Sequence, residues 1–475
     1  MNFVDKIFAH AAATPDKTAL LLSDRSLGYG ALAQAIAAAE QRIRGAGLPP
    51  GALVGISVDS PIRHLTLIAA LYRAGMVSVS LRPGLDFARA GLRIAATLRD
   101  AEGQPLPGAG RDIAVDNGWF QPRAPRPTTA PTGFAPEATC RVTLSSGTTG
   151  YPKAIGFTAG NIEARLPTYA ARLGTAAWER MLCLPGLSTN YGAGFALTAL
   201  ALGRTLCFAP SVPDTLRMIP LFRIDLLVAS TQQLGDIVAA QARSPLPLPN
   251  LQTVQVGGSI ILPALLDRAQ QLVCRRIVCA YGSTEAGSVA HAAAEKLAGI
   301  EGAVGLVEPW ARVEAVDDKG RVLPPGEPGT IRIRTAGQGH AFGGSGGADD
   351  NFKDGWFYPG DRGTVNASGM LIILGRGGEL INAGGTKVAP ERVEELVLAY
   401  PGVKDAAALA MADAAGIEEL WIAVVADSPI DEQALIAHCV QHNPDFKPAR
   451  VKLVGSIPRS ALGKVARDAL RRQLS

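Results

Sequence analysis

Ser145 and Ser146, then Thr148 and Thr149, form two adjacent hydroxyl pairs that alternate with Gly147 and Gly150, and Lys153 follows. Glycines let backbone N–H groups approach an anion closely, hydroxyls donate further hydrogen bonds, and an ammonium adds charge. That combination suits a polyphosphate. The spacing is not that of the Walker loop, whose lysine directly follows its second glycine and opens a helix. Here Pro152 stands between Gly150 and Lys153, which argues against a helix starting at that point. An apolar approach over 140–144 and a second apolar run over 154–157 make the segment a loop between two strands rather than a solvated turn. A second candidate, His438 and His442 with Cys439 between them, would share a helical face. A zinc site needs further ligands nearby, and the sequence offers none, so the pair reads as polar residues on an exposed helix.

The Leu144–Lys153 loop closely resembles the phosphate-binding signature of the AMP-forming adenylating superfamily, which includes acyl-CoA synthetases, peptide-synthetase adenylation domains and luciferases. Further family motifs follow in order. Tyr281-Gly-Ser-Thr-Glu-Ala-Gly matches the second nucleotide motif. The resemblance implies a flat face for adenine at Tyr281, an α-phosphate donor at Thr284 and a Mg²⁺ carboxylate at Glu285, an ion that prefers hard oxygen ligands. Gly355-Trp-Phe-Tyr-Pro-Gly-Asp-Arg-Gly matches the third motif and gives Asp361 both ribose hydroxyls. The stretch from Gly375 to Glu394 matches the crossover between domains. In it Arg376 reaches the ribose or phosphates, and Gly384 and Gly385 let a narrow thiol-bearing arm pass. Gly378 occupies the hinge position, where the family usually has Asp or Lys, so the side-chain role is lost while the torsional freedom remains. Ile457-Pro-Arg-Ser-Ala-Leu-Gly-Lys resembles the C-terminal motif and makes Lys464 the catalytic lysine.

The resemblance spans Phe3 to Leu470, with a shortened stretch around 91–139. It implies an α/β fold: a large multi-layer N-terminal domain (1–377) with βα subdomains and a β-rich part, then a small mobile α+β domain (378–475). It also implies a two-step reaction using ATP, Mg²⁺ and coenzyme A. A carboxylate attacks the α-phosphorus to give acyl-AMP and pyrophosphate, and a thiol then displaces AMP. The acceptor could instead be the phosphopantetheine of a carrier protein, and a degenerate adenylate-binding scaffold is the reading from another class.

The family builds its acyl pocket from three segments, here Cys183–Phe195, Val256–Ser259 and Tyr281–Gly287. The candidate lining is Asn190, Tyr191, Gly257, Ser259 and Gly282, with Gly258 at the nucleotide. No aspartate lies in the first segment to pair an α-amino group, which argues against an amino-acid substrate. No Arg or Lys lies between Met181 and Gly203, so a dicarboxylic acid is also disfavoured. Asn190 with Tyr191 resembles the aryl-acid activators, where asparagine bonds a ring hydroxyl; a local backbone cap is the equal alternative. The expected substrate is an aryl or medium-chain acid.

The elements that must position these residues are legible in outline. Phe3–Ala13, Ala31–Ile43 and Leu65–Ala74 carry helical spacing, and Ala19–Leu22, Leu53–Val58 and Met76–Leu81 read as strands, giving β-α-β organisation. Five prolines in 121–136 mark an extended surface connection, and βα alternation resumes to about Ala290. Val313–Val316 and Thr330–Arg334 are alternating strands, and six glycines in 337–347 suggest a mobile segment. Ala389–Leu398, Glu432–His442 and Ala466–Gln473 are expected helices, and Asp405–Met411 and Trp421–Val425 expected strands.

The bulk properties set limits on function. At 475 residues, 47% hydrophobic and 19% charged, the chain is long enough for more than one folding unit and a sizeable core. A net charge of +4 does not point to nucleic acid. No apolar run reaches the roughly 18–20 residues of a membrane span, and the start of the chain lacks a signal-peptide layout. Six scattered cysteines without a Cys-x-x-Cys pair suit a reducing cytoplasm.

Overall fold

The structure, a computed structural model of the chain, describes residues 1–81, 90–106, 108–122, 133–145, 153–173, 178–259, 261, 263–343, 351–376, 381–383, 386–388, 390–412, 418–442, 448–460 and 463–474. Local chemistry sets its helix ends. Asn2 caps the Phe3–Ala13 helix through a capping box with Asp5, and Ser60 with Pro61 opens the Pro61–Ala74 helix, which Gly75 closes at φ 72°. A left-handed residue there satisfies the last carbonyls, and glycine adopts it without strain.

Two sheets make up the large N-terminal part. One runs His340–Ala341, Lys153–Thr158, Thr139–Ser145, Val77–Ser80, Leu53–Ser57, Ala96–Asp100 and Arg111–Val115 in spatial order. The Leu53–Ser57 strand is parallel to both neighbours and apolar throughout its first four positions, as burial on both faces requires. The other sheet contains a parallel block in the order Thr18–Leu21, Thr205–Cys207, Arg180–Cys183, Leu226–Ser230, Thr253–Gly257 and Ile277–Ser283. It turns antiparallel at Gly287–Ala293 and continues through Ala303–Val307, Met370–Arg376, Asp361–Val365 and Gly329–Thr335. Strand Ala311–Val316 pairs with Gly329–Thr335 over six positions.

Helices fill the space between the sheets, and the largest apolar cluster joins Phe3, Tyr29, Leu67, Phe157, Tyr169 and Phe195 across both. Each such buried side chain contributes about 1.5–3 kcal/mol before entropy is counted. The C-terminal unit has its own core. Strands Val403–Ala412, Glu418–Ala426 and Arg450–Leu453 form a three-stranded sheet packed by helices Pro390–Leu398, Glu432–His442 and Arg467–Leu474.

In the glycine-rich 337–347 segment, His340–Ala341 pairs with Gly156 and Ile155 as an edge strand, and residues 344–347 lie outside the described residues. All six cysteines are buried free thiols. His438 Nε2 meets the Leu396 carbonyl at 3.2 Å and His442 Nδ1 meets the His438 carbonyl at 2.9 Å. Among the described residues no group of three or more His, Cys, Asp or Glu is placed to hold a metal, and no helix is long and apolar enough to cross a membrane.

Candidate active site

The carboxyl ends of parallel strands are where an open α/β sheet leaves a crevice, and the expected residues gather there. Strand Thr253–Gly257 ends on Gly257, Gly258 follows at φ 104°, and the Ser259 carbonyl accepts a bond of 3.2 Å from Thr231 Oγ1. Next to it strand Ile277–Ser283 carries Tyr281 and Gly282 at its end and leads into Thr284 and Glu285. Tyr281 donates its hydroxyl to Asp361 Oδ2. Asp361 in turn stands opposite Arg376 in the register of two antiparallel strands. Three motifs that lie far apart in sequence thus meet through three strands of one sheet.

The Thr284–Glu285 turn is clamped from behind by a residue that motif reading missed. Arg165 projects from the Ala159–Arg172 helix, which Thr158 and Asn161 start with a capping box. Its Nη2 donates to the carbonyls of Thr284 at 3.1 Å and Glu285 at 2.7 Å, and its Nε donates to Gly337 at 2.6 Å. The guanidinium also lies 4.4 Å over the Phe157 ring. Burial lowers the Arg165 pKa, partly offset by Tyr169 and Glu285. A Cβ on Gly287 would come within 3.2 Å of Arg165 Nε, and the φ of 78° there also favours glycine. Glu285 itself is 9% exposed, so its carboxylate is held at the edge of solvent by a turn whose backbone is already committed.

Lys153 opens strand Lys153–Thr158, opposite Ser145 at the end of strand Thr139–Ser145, and is buried. The hairpin therefore brackets the phosphate loop as the apolar flanks implied. Ser146, Gly147, Thr148, Thr149 and Gly150 lie outside the described residues, as do Gly378, Gly384 and Gly385.

Lys464 is exposed on a tight turn: its N–H donates to Ser460 Oγ at 3.2 Å, and Ser460 N–H donates back to the Lys464 carbonyl at 2.7 Å. Arg459 fixes that turn, donating to the Gly463 carbonyl at 2.6 Å and gripping Asp405 with Nε and Nη2. A Cβ on Gly463 would sit 2.5 Å from Gln232 Cβ, so the turn is seated against the first turn of the Thr231–Arg243 helix. That helix starts beside Ser259, at the same end of the sheet.

The Asn190–Ala201 helix brings a cluster of aromatic side chains up to Gly257. Thr189, not Asn190, caps the Asn190–Ala201 helix, accepting from Gly192 N–H at 3.0 Å. The cap reading of Asn190 therefore fails, and its side chain instead donates to Tyr169 Oη at 3.4 Å. Tyr169 and Tyr191 both meet Phe195 edge-on, with centroids 4.9 and 5.1 Å away. Tyr191 Oη would lie 3.5 Å from a Cβ on Gly257. Burial raises the Tyr191 pKa, so its hydroxyl stays protonated. A Cβ on Gly194 would come within 2.6 Å of the Tyr169 ring, so only glycine allows that approach.

A second buried arginine, Arg172, completes this cluster. It is 5% exposed, lies 4.9 Å over the Phe195 ring and 5.4 Å over Tyr169, and donates Nη1 to Ser288 Oγ at 2.7 Å. Ser288 stands opposite Gly282 in the Ile277–Ala293 hairpin. The cations that the Met181–Gly203 segment lacks are supplied from another helix. A signal was present: Ile162, Arg165, Leu166, Tyr169 and Arg172 share the helical spacing of one face, and all five are buried. Basic residues on an apolar stripe mark a buried charge that something must use.

With this geometry in hand, the family models can be placed on the chain. The AMP-binding enzyme model matches residues 7–341, and the AMP-binding enzyme C-terminal domain model matches residues 392–464. The chain belongs to the AMP-binding enzymes. Among similar AMP-binding enzymes, a feruloyl-CoA synthase of Amycolatopsis sp. is 28% identical, covering 98% of this chain and 97% of the relative. A 2-succinylbenzoate–CoA ligase of Bacillus licheniformis is 27% identical, covering 97% and 98%. The fold matches that of o-succinylbenzoate CoA synthetase from Bacillus subtilis, solved with its acyl-adenylate intermediate, with a TM-score of 0.87, 22% identity and coverage of 98% and 97%.

Proposed function

We propose that this AMP-binding enzyme joins a carboxylic acid, aryl in preference to medium-chain, to the thiol of CoA by way of acyl-AMP. The observation that carries the reading is the meeting of Tyr281, Asp361 and the Arg376 strand position beside the clamped Thr284–Glu285 turn, with the Tyr169, Tyr191 and Phe195 cluster adjoining. In the first step a carboxylate oxygen bonds to the α-phosphorus of ATP, and the bond to the bridging oxygen breaks to release pyrophosphate. Thr284 and Lys464 donate to the phosphate oxygens as charge builds on them, a positional and electrostatic contribution. Asp361 accepts the ribose hydroxyls, with Tyr281 orienting it, and Lys153 holds the departing phosphates. In the second step the CoA thiolate bonds to the acyl carbon, and the carbonyl–phosphate bond breaks to release AMP.

Glu285 suits Mg²⁺. The ion commonly takes one or two carboxylates plus substrate phosphates and waters rather than an all-protein cage, and the described residues hold one buried-edge carboxylate at this turn and no cage. When bound there, Mg²⁺ would neutralise phosphate charge.

The small domain pivots at Gly378, so the domains divide at 377/378, and Gly384 and Gly385 line the thiol path in the second pose. The seat of Gly463 on Gln232 supports an adenylating pose in the resting enzyme. ATP–pyrophosphate exchange with a panel of acids tests the first step. Product analysis with CoA and with a carrier protein tests the second. No exchange with any acid would favour the non-enzymatic reading, and transfer only to a carrier protein would replace CoA as acceptor.

A further inference from the structure

Arg172 has more donors than the protein uses. Its Nε and Nη2 are buried without a hydrogen-bond partner among the described residues, while Nη1 is fixed on Ser288. No ion pair among the described residues includes it. A buried donor left unsatisfied costs about 1–3 kcal/mol, and more when charged. Natural interiors rarely leave one so, unless a ligand completes it.

The two orphan atoms are not scattered. Nε and Nη2 form one edge of the planar guanidinium, the edge that meets both oxygens of a carboxylate side-on. The chain uses this same edge elsewhere: Arg99 puts Nε and Nη2 on Asp112, and Arg332 puts them on Glu314. Arg459 does so on Asp405. At Arg172 the guanidinium lies over the Phe195 and Tyr169 rings, and its Nε–Nη2 edge has no carboxylate among the described residues. The Tyr191 hydroxyl, likewise buried, is close enough to Arg172 to feel its charge and has the Gln255 side chain beside it.

We propose that the acid activated here carries a second carboxylate, remote from the one that is adenylated, held side-on by Arg172 Nε and Nη2 with Tyr191 as a further donor. The spacer between the carboxylates is apolar and flat enough to lie among Tyr169, Tyr191 and Phe195. This rests on the adenylating reading of the same site and narrows it to dicarboxylic acids, the class that the Met181–Gly203 segment alone disfavoured. A buried ion pair of this kind is selective chiefly because the neutral analogue leaves the charge unpaired.

The test measures ATP–pyrophosphate exchange with benzene dicarboxylates and short straight-chain dicarboxylates, each beside its monomethyl ester. The wild type should prefer at least one free dicarboxylate over its ester by on the order of 10²-fold in kcat/KM. Arg172→Met removes the fork and should erase that preference, lowering kcat/KM for the dicarboxylate far more than for the ester. Arg172→Lys keeps the charge without the fork and should lose at least about tenfold on the dicarboxylate relative to the ester. It carries the test should Arg172→Met fail to fold. Equal use of acid and ester by the wild type overturns the proposal. So do Arg172 variants that lower acid and ester alike, which would make Arg172 a packing residue. Should no acid support exchange, the adenylating reading falls, and thermal melts with the same dicarboxylates decide this site separately. A rise in Tm for the wild type but not for Arg172→Met supports it, and no rise overturns it.

Discussion

Arg165 and Arg172 stand two helical turns apart on one face of one helix, both 5% exposed, both stacked on aromatic rings, and they are put to opposite uses. At the nucleotide end, Arg165 turns Nε and Nη2 onto three backbone carbonyls and holds the Thr284–Glu285 turn. At the acyl end, Arg172 leaves that edge without a partner among the described residues. A third buried arginine, Arg141, donates to Ser78, Ser80 and the Leu187 carbonyl, as Arg165 does to its own neighbours. The contrast separates a guanidinium that builds the protein from one proposed to be kept for a ligand. On that proposal the site has an end common to every acid and an end that selects among them.

The division can be broken first at Lys464, where the largest effect is expected. Lys464→Ala should cut adenylate formation by on the order of 10²–10³ or more for every acid tested, because its charge is proposed to act on the α-phosphate. Thioester formation from supplied acyl-AMP should survive. Equal loss in both half-reactions would end this assignment of roles.

Arg165→Met comes next. Three carbonyls lose a charged donor in a buried place, which should cost stability of about 2–4 kcal/mol, read as a lowered denaturant midpoint. Exchange rates should fall by one common factor across all acids. A change in acid preference would put Arg165 in the selective end and blur the comparison.

Tyr281→Phe is a finer cut. Removing the hydroxyl that orients Asp361 should raise the KM for ATP roughly tenfold, the worth of one hydrogen bond to a charged group. The ranking of acids should not move. A mutant with wild-type KM for ATP would show that Asp361 is positioned without Tyr281.

The smallest effect at neutral pH concerns His64, whose Nε2 lies 2.8 Å from Ser80 Oγ, the hydroxyl that also receives Arg141. Burial, helped by the Arg141 charge, lowers its pKa from 6.5 to about 3. A folded-state pKa below the unfolded one gives stability that is whole above pH 6.5 and is lost as pH falls toward 3. Within that window the slope should approach about 1.4 kcal/mol per pH unit. Denaturant melts of His64→Gln should show a shallower acid loss and no change in acid preference. An unchanged acid slope would mean that His64 is not the group responsible.

Motifs made of adjacent residues were readable because the chemistry they serve is local: a loop around phosphate needs its glycines, hydroxyls and lysine in one run. Strand and helix positions such as Leu53–Ser57 and Glu432–His442 were readable from apolar periodicity. The edge strand at His340–Ala341 was not, since nothing in its own composition reveals the partner it pairs with. Asn190 shows the same limit on a smaller scale, because one position decides between a helix cap and a side chain directed at Tyr169.

By itself, then, the sequence determined the family, the order of its nucleotide motifs and the two-step chemistry they imply, because those depend on residue type and short spacing. Only the tertiary structure decided that Tyr281 meets Asp361, that Arg165 clamps the Glu285 turn, and that Arg172 lies over Phe195 and Tyr169 with one edge open among the described residues. Those facts depend on which helix faces which strand, and that is settled by packing between residues more than a hundred positions apart, such as Arg172 and Ser288.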